Sequence, residues 1–157
     1  MISIYTDGSC SVNKTNTNNL GGYSFVAINE SGQEICSFSE GVKNTTNNRM
    51  EMMAVIAALE KFKHNIDPLT IHSDSEYVVK CMNEEWWKKW IKNDWKIKSN
   101  EVKNKDLWID ILELLTVKTN VTFKWVKGHS VNNVWNEKAH NLAFAKTKKE
   151  NIRIVNK

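Results

Sequence analysis

The segment Ile2–Cys10, ISIYTDGSC, alternates between two faces. Ile2, Ile4 and Thr6 fall on one side, and Ser3, Tyr5 and Asp7 on the other, until Gly8 breaks the pattern. That period is the period of a strand, here with a carboxylate near its end. A second carboxylate is delivered in the same way. After Pro68, the short β-like run Leu69–Ser73 ends at Asp74 and passes into a helix beginning near Ser75.

The remaining elements can be placed around these two. Residues 21–29 and 34–42 are β-rich and are joined at Glu30-Ser31-Gly32, a turn of the kind that closes an antiparallel hairpin. Helical spacing follows. Met52, Val55, Ile56, Leu59 and Phe62 mark one face, and Thr46-Asn47-Asn48 ahead of them offer capping side chains. Glu51 is then expected in the first turn. Leu107, Ile111, Leu114 and Leu115 mark another amphipathic helix, and Ala139, Leu142 and Ala143 a last one. Between these two, residues 121–126 form a strand with Val121, Phe123 and Trp125 on one face. The expected order is βββα, βα, α, βα, an α/β chain without internal repeats. Asn13 to Asn19 form a polar, Asn-rich loop.

With 157 residues, 41% of them apolar and 25% charged, the composition suits one globular domain, residues 1–157, with a single core. No run approaches membrane-spanning length, and the N-terminus passes into a strand rather than a signal peptide. Cys10, Cys36 and Cys81 are odd in number and widely spaced, which argues against a disulfide scaffold or a zinc site. A reducing cytoplasm is the simplest setting. The net charge of +4 is modest, but its distribution is uneven. Between Trp86 and Lys105 stand seven lysines, 88, 89, 92, 96, 98, 103 and 105, against Asp94 and Glu101, interleaved with Trp86, Trp87, Trp90 and Trp95.

Taken in order, YTDGSC, GGY, TTNNRMEMMA, SDSEYV, the Trp-Lys segment with VKNKDLW, KWVKGH and NEKAHNLA resemble the strings of a bacterial-type, or type 1, ribonuclease H. The resemblance covers essentially the whole chain. It implies a ribonuclease H-like fold, with a five-stranded mixed sheet flanked by helices. It also implies hydrolysis of the RNA strand of RNA–DNA hybrids with two divalent cations, Mg2+ or Mn2+. Phosphodiester cleavage needs an activated water, neutralised charge and a stabilised leaving oxygen, and two such ions roughly 4 Å apart supply all three. Hard ions take oxygen ligands.

By this resemblance, Asp7 is the ligand shared between the ions, and Glu51 and Asp74 hold the one that accompanies the attacking water. A lone Asp at a strand end is more often a turn or capping residue, but three carboxylates in these contexts outweigh that reading. At the fourth position His140 stands where the family carries aspartate. An imidazole still binds metal, yet it removes a negative charge and suits manganese or zinc better than magnesium. The alternative is that His140 only caps or lines the start of the last helix. His129 in KGHS matches a histidine that assists proton transfer or product departure. Its loop, residues 130–135, departs from the family's common pattern and is one residue longer.

Recognition of RNA beside DNA rests on the 2′-hydroxyl. By resemblance, Gly8, Ser9, Cys10, Asn47, Asn48 and Glu76 line the RNA side, with Thr46 and Asn104 on the DNA side. Glu76 replaces a frequent glutamine, leaving only an acceptor. Arg49 is expected to be structural, pairing locally. The segment of about residues 86–105 matches a basic protrusion that grips the DNA strand. There Lys88, Lys89 and Lys92 are set to neutralise phosphates rather than merely form a solvated face, while Trp86 and Trp90 pack together as i, i+4 neighbours. The expected partner is an RNA–DNA hybrid, bound by a monomer with no membrane attachment. Two other function classes stand beside this one: a hybrid-binding module weakened or inactivated in catalysis at His140, and a more distant integrase- or resolvase-like nuclease.

Overall fold

The computed structural model describes residues 1–11, 19–128 and 133–148. Three strands open the chain: β1 (Ile2–Cys10), β2 (Leu20–Ile28) and β3 (Glu34–Lys43). They are followed by α1 (Asn47–Phe62), β4 (Leu69–Ser73), α2 (Glu76–Asn83) and α3 (Trp86–Lys92). A small hairpin, β5 (Lys96–Ile97) and β6 (Asn100–Glu101), leads to α4 (Lys105–Val117), β7 (Val121–Trp125) and α5 (Val134–Ala145).

The main sheet has five strands in the order β3-β2-β1-β4-β7. β1 pairs antiparallel with β2 and parallel with β4, β2 pairs antiparallel with β3, and β4 pairs parallel with β7. The expected five-stranded mixed sheet is therefore present. Register places the site. Thr6 stands opposite Ser73, the last residue of β4, so Asp7 and Asp74 leave adjacent parallel strands at the same edge.

The alternation of β1 puts its two faces into different layers. Ile2 and Ile4 join Phe25, Ala27, Ile71 and Phe123 beneath Met52, Val55, Leu59 and Phe62 of α1 and Trp108 and Ile111 of α4. On the opposite face, Val26 and Ile28 meet Ala139 of α5, with Tyr5, Trp135 and Leu142 around them. Side chains of this size each stabilise by about 1.5–3 kcal/mol when fully buried. Small residues set how closely α5 approaches. A Cβ on Gly22 would come within 2.1 Å of the Ala143 carbonyl oxygen and 2.7 Å of Lys146 Cβ. Ser24, paired in register with Asp7, donates its hydroxyl proton to the Ala139 carbonyl.

Several expectations need correction. Thr46 alone caps α1, its hydroxyl accepting from the Arg49 amide, so Asn47 and Asn48 are the first helical residues rather than caps. Glu51 is consequently the fifth helical residue, just beyond the first turn where it was expected. Val121 and Phe123 of β7 pack on the same core, while Trp125, 47% exposed, donates from Nε1 to the Asp74 carbonyl. Arg49 pairs with Asp106 on α4, 57 positions away, rather than locally. The expected order also omitted α3 and the β5–β6 hairpin.

The Trp-Lys segment does pack as expected. Trp86 and Trp90 stand edge to face at 6.4 Å, and Trp90 is buried between Trp95 and Trp108. Among the described residues no helix is long and apolar enough to cross a membrane.

Candidate active site

Asp7 and Glu51 are brought together because β1 runs against the backbone of α1. A Cβ at position 8 would lie 2.4 Å from the Glu51 amide nitrogen and 2.6 Å from the Met50 carbonyl carbon, so only glycine fits. The Gly8 amide then donates to both carboxylates, at 2.9 Å to Asp7 Oδ1 and 2.9 Å to Glu51 Oε1. Asp74 arrives from β4, where Ser73 Oγ accepts from the Ser75 amide and Ser75 caps α2 through the Val78 amide. One oxygen from each of Asp7, Glu51 and Asp74 lies within 4.8 Å of the others.

Gathering three carboxylates in a largely buried place is electrostatically costly, and Glu51 and Asp74 bear that cost. Burial, then the charges of Asp7 and Asp74, push Glu51 well above the usual carboxylate range. Asp74 is pushed up to about 6, by burial first and by Asp7 second. Glu51 Oε2 is buried without a hydrogen-bond partner. A buried oxygen of this kind, in a set of hard oxygen donors, is what a divalent cation satisfies. The residues present therefore fit the metal centre that the sequence implies.

His140 belongs to the same site. It lies in the middle of α5, whose cap is Asn133, so the reading in which it caps or lines the helix start does not hold. Its Nδ1 is 2.9 Å from Asp7 Oδ2, and its ring meets Phe144 at 5.9 Å. The Ser24 bond to the neighbouring Ala139 carbonyl fixes this part of the helix.

An open cleft of about 500 Å³ surrounds the cluster. It is lined by Asp7, Glu51, Asp74 and His140 together with Gly8, Ser9, Cys10, Asn47, Asn48 and Glu76, the residues expected on the RNA side. Ser75 and Tyr77 line it too and were not singled out, although both stand in SDSEYV. Ser24 was also missed. Its role comes from register alone, which no local string announces.

Asn19 ties the end of β1 to the start of α1. It accepts from the Thr45 amide at 3.0 Å and donates to the Thr45 carbonyl at 2.7 Å and to Cys10 Sγ. Thr46 and Asn104 stand outside the cleft lining and are linked through Arg49, as are α1 and α4. Lys88, Lys89 and Lys92 lie exposed on α3, with Lys88 paired to Glu85 at 2.7 Å. His129 and its loop residues 130–132 lie outside the described residues.

Two solved structures share this architecture at similar levels. A type 1 RNase H with the type 2 active-site motif is 28% identical with a TM-score of 0.77, covering 92% of this chain and 70% of that one. The PFV RNase H domain is 28% identical with a TM-score of 0.79, covering 93% of each chain. The fold and the carboxylate cluster together place the protein in the RNase H class of nucleases.

Sequence comparison narrows this further. The "Ribonuclease H" of Francisella tularensis subsp. novicida is 48% identical over 141 residues, 88% of this chain and 86% of that protein. That of Trichodesmium erythraeum is 40% identical over 149 residues, 94% of this chain and 89% of that protein. The RNase H family matches residues 1–148. The chain belongs to the ribonuclease H family.

Proposed function

We propose that this protein is an endoribonuclease that hydrolyses the RNA strand of RNA–DNA hybrids in the cleft around Asp7, Glu51 and Asp74. The observation that carries this reading is the convergence of those three carboxylates, with a buried oxygen of Glu51 left unpartnered. Asp7, Glu51, Asp74 and His140 are the residues that would hold divalent cations, Mg2+ or Mn2+. When bound, such ions supply Lewis acidity and charge neutralisation at a phosphodiester.

The chain's own groups do the rest. The Gly8 amide holds one oxygen of Asp7 and one of Glu51 on a single donor and so orients the two carboxylates toward one another. His140, held by α5 and in contact with Asp7, contributes an imidazole where a carboxylate would add charge, which favours Mn2+ over Mg2+. His129 serves in proton transfer or product departure. In support, Gly128 just before it approaches so closely that a Cβ there would lie 2.9 Å from Asp74 Oδ2.

Gly8, Ser9, Cys10, Asn47, Asn48 and Glu76 follow the RNA strand and its 2′-hydroxyls. Thr46 and Asn104 contact the DNA strand, as do Lys88, Lys89 and Lys92 on the protrusion. Residues 1–157 act as one catalytic domain, as a monomer in the cytoplasm. The hybrid-binding-module reading is not favoured, because the carboxylates are assembled rather than dispersed.

The test is cleavage of a labelled RNA–DNA hybrid beside single-stranded RNA, duplex RNA and duplex DNA, each with Mg2+ or Mn2+. Cutting confined to the hybrid, and lost in Asp7→Asn while hybrid binding persists, is expected. Full activity in Asp7→Asn would remove the metal assignment, and tight binding without cutting in either metal would return the binding-module reading.

A further inference from the structure

Asn104 precedes α4 yet does not cap it. Its backbone is left-handed, at φ 61°, and its side chain makes no hydrogen bond to the helix amides. An asparagine at this position ordinarily accepts from the second or third helical amide. Here the side-chain oxygen instead accepts from Arg49 Nη1 at 3.3 Å, and Nδ2 lies 3.5 Å from the Tyr77 hydroxyl.

Arg49 is itself fixed from the other side. Its guanidinium takes both oxygens of Asp106, Nη1 at 3.0 Å and Nη2 at 2.8 Å, the two-pronged geometry that suits a planar fork. The two side chains are 33% and 64% exposed, and ion pairs in such positions contribute little to stability. What the pair does contribute is orientation. With its oxygen turned toward Arg49 and one N–H directed at the Tyr77 hydroxyl, the Asn104 amide has its orientation set and one N–H left to offer.

We propose that Arg49 is a positioning residue: clamped by Asp106, it locks the Asn104 amide as a hydrogen-bond donor aimed at a phosphate oxygen of the DNA strand, without touching the substrate itself. This inference rests on the hybrid-cleaving reading, and it adds to that reading the origin of the DNA-side contact. Two features favour an anionic oxygen as the acceptor. Lys103 and Lys105 flank Asn104, and the N-terminal end of the 13-residue α4 begins beside it. Thr46 is held nearby by its capping bond to the backbone amide of residue 49, which Arg49→Met leaves in place, so the test separates the two proposed DNA-side contacts.

The experiment measures hybrid binding in chelator, which is independent of cleavage, and then KM and kcat with metal. The hybrids carry a single neutral methylphosphonate scanned along the DNA strand. In the unsubstituted protein one position is expected to weaken binding by roughly tenfold, a loss typical of one charge-assisted hydrogen bond. Arg49→Met, which keeps the aliphatic stem and removes the donors, should weaken binding of the unmodified hybrid by a similar factor and lose sensitivity at that position. Its effect should fall on KM rather than kcat.

Asp106→Asn, which frees the guanidinium while leaving Arg49 in place, should move the same readout in the same direction, and Asn104→Ala combined with Arg49→Met should add no further loss. Undiminished sensitivity to that phosphate in Arg49→Met, or the absence of any such position in the unsubstituted protein, overturns the inference and leaves hybrid cleavage standing. Failure of the unsubstituted protein to bind hybrid overturns both.

Discussion

Asp74 shows what the site costs the protein when no cation is bound. Its carboxyl is raised from an ordinary value of 3.8 to about 6, so between those values the folded chain binds a proton that the unfolded chain has lost. Stability from this group is therefore present at low pH and is lost as pH rises through about 6. Asp74→Asn is expected to raise the melting temperature of the metal-free protein at pH 7, with the gain fading as pH drops below the ordinary carboxylate value. An equal gain at all pH values, followed by thermal denaturation, would contradict this origin. His140 makes the opposite kind of prediction. On the proposed metal-binding role, His140→Asp places a carboxylate beside Asp7 and is expected to increase magnesium-supported cleavage on the order of tenfold relative to manganese. No change in either metal would mean that position 140 acts only through packing. At this scale the sequence was most legible for Asp7, Glu51 and Asp74, since each sits in a string whose chemistry is local. It was less so for Arg49, whose partners Asp106 and Asn104 come into reach only when α1 packs on α4.

The elements differ in how openly the sequence announces them. α1 was visible because Met52, Val55, Leu59 and Phe62 repeat at helical spacing and all become buried. The β5–β6 hairpin was not. Its bends are made by Asp94, Trp95, Lys98 and Ser99, all at positive φ, and none is the glycine by which such a backbone is usually recognised. α5 carries His140 to the site, and Gly22 is where it meets the sheet most closely among the contacts described above. Gly22→Ala drives a methyl group into the Ala143 carbonyl and should destabilise the protein by about 1–3 kcal/mol, visible in urea unfolding. Wild-type stability would mean that α5 can retreat without penalty. α3 packs through Trp90 and presents its lysines to solvent. Replacing Lys88, Lys89 and Lys92 by glutamine should weaken hybrid binding and flatten its dependence on salt, with little effect on melting, because these side chains are exposed while Trp90 holds the helix down. An unaltered salt slope would locate the DNA grip elsewhere.

Across the whole molecule, charge is arranged in two regions of opposite sign. The cleft concentrates carboxylates at one edge of the sheet, and the protrusion gathers lysines on α3 and the adjoining hairpin. A nucleic acid is attracted to the second and repelled by the first until cations neutralise it. The fold class was legible because alternating strands and periodic helices follow one another in a simple order. The cleft as a three-dimensional object was not, since its residues come from β1, α1, the β4–α2 junction, α2 and α5 and meet only through strand register and helix packing. The docking of α5 also bears on how the chain acquires activity during synthesis. Until residues 134–145 have emerged and settled, Val26 and Ile28 have no apolar cover from Ala139, and Asp7 has no histidine beside it. A nascent chain that already holds all three carboxylates thus presents an uncovered sheet face, a state more apt to aggregate than to cut. The helix that covers this face of the sheet is also the one that brings His140 to Asp7, so both arrive in one late event.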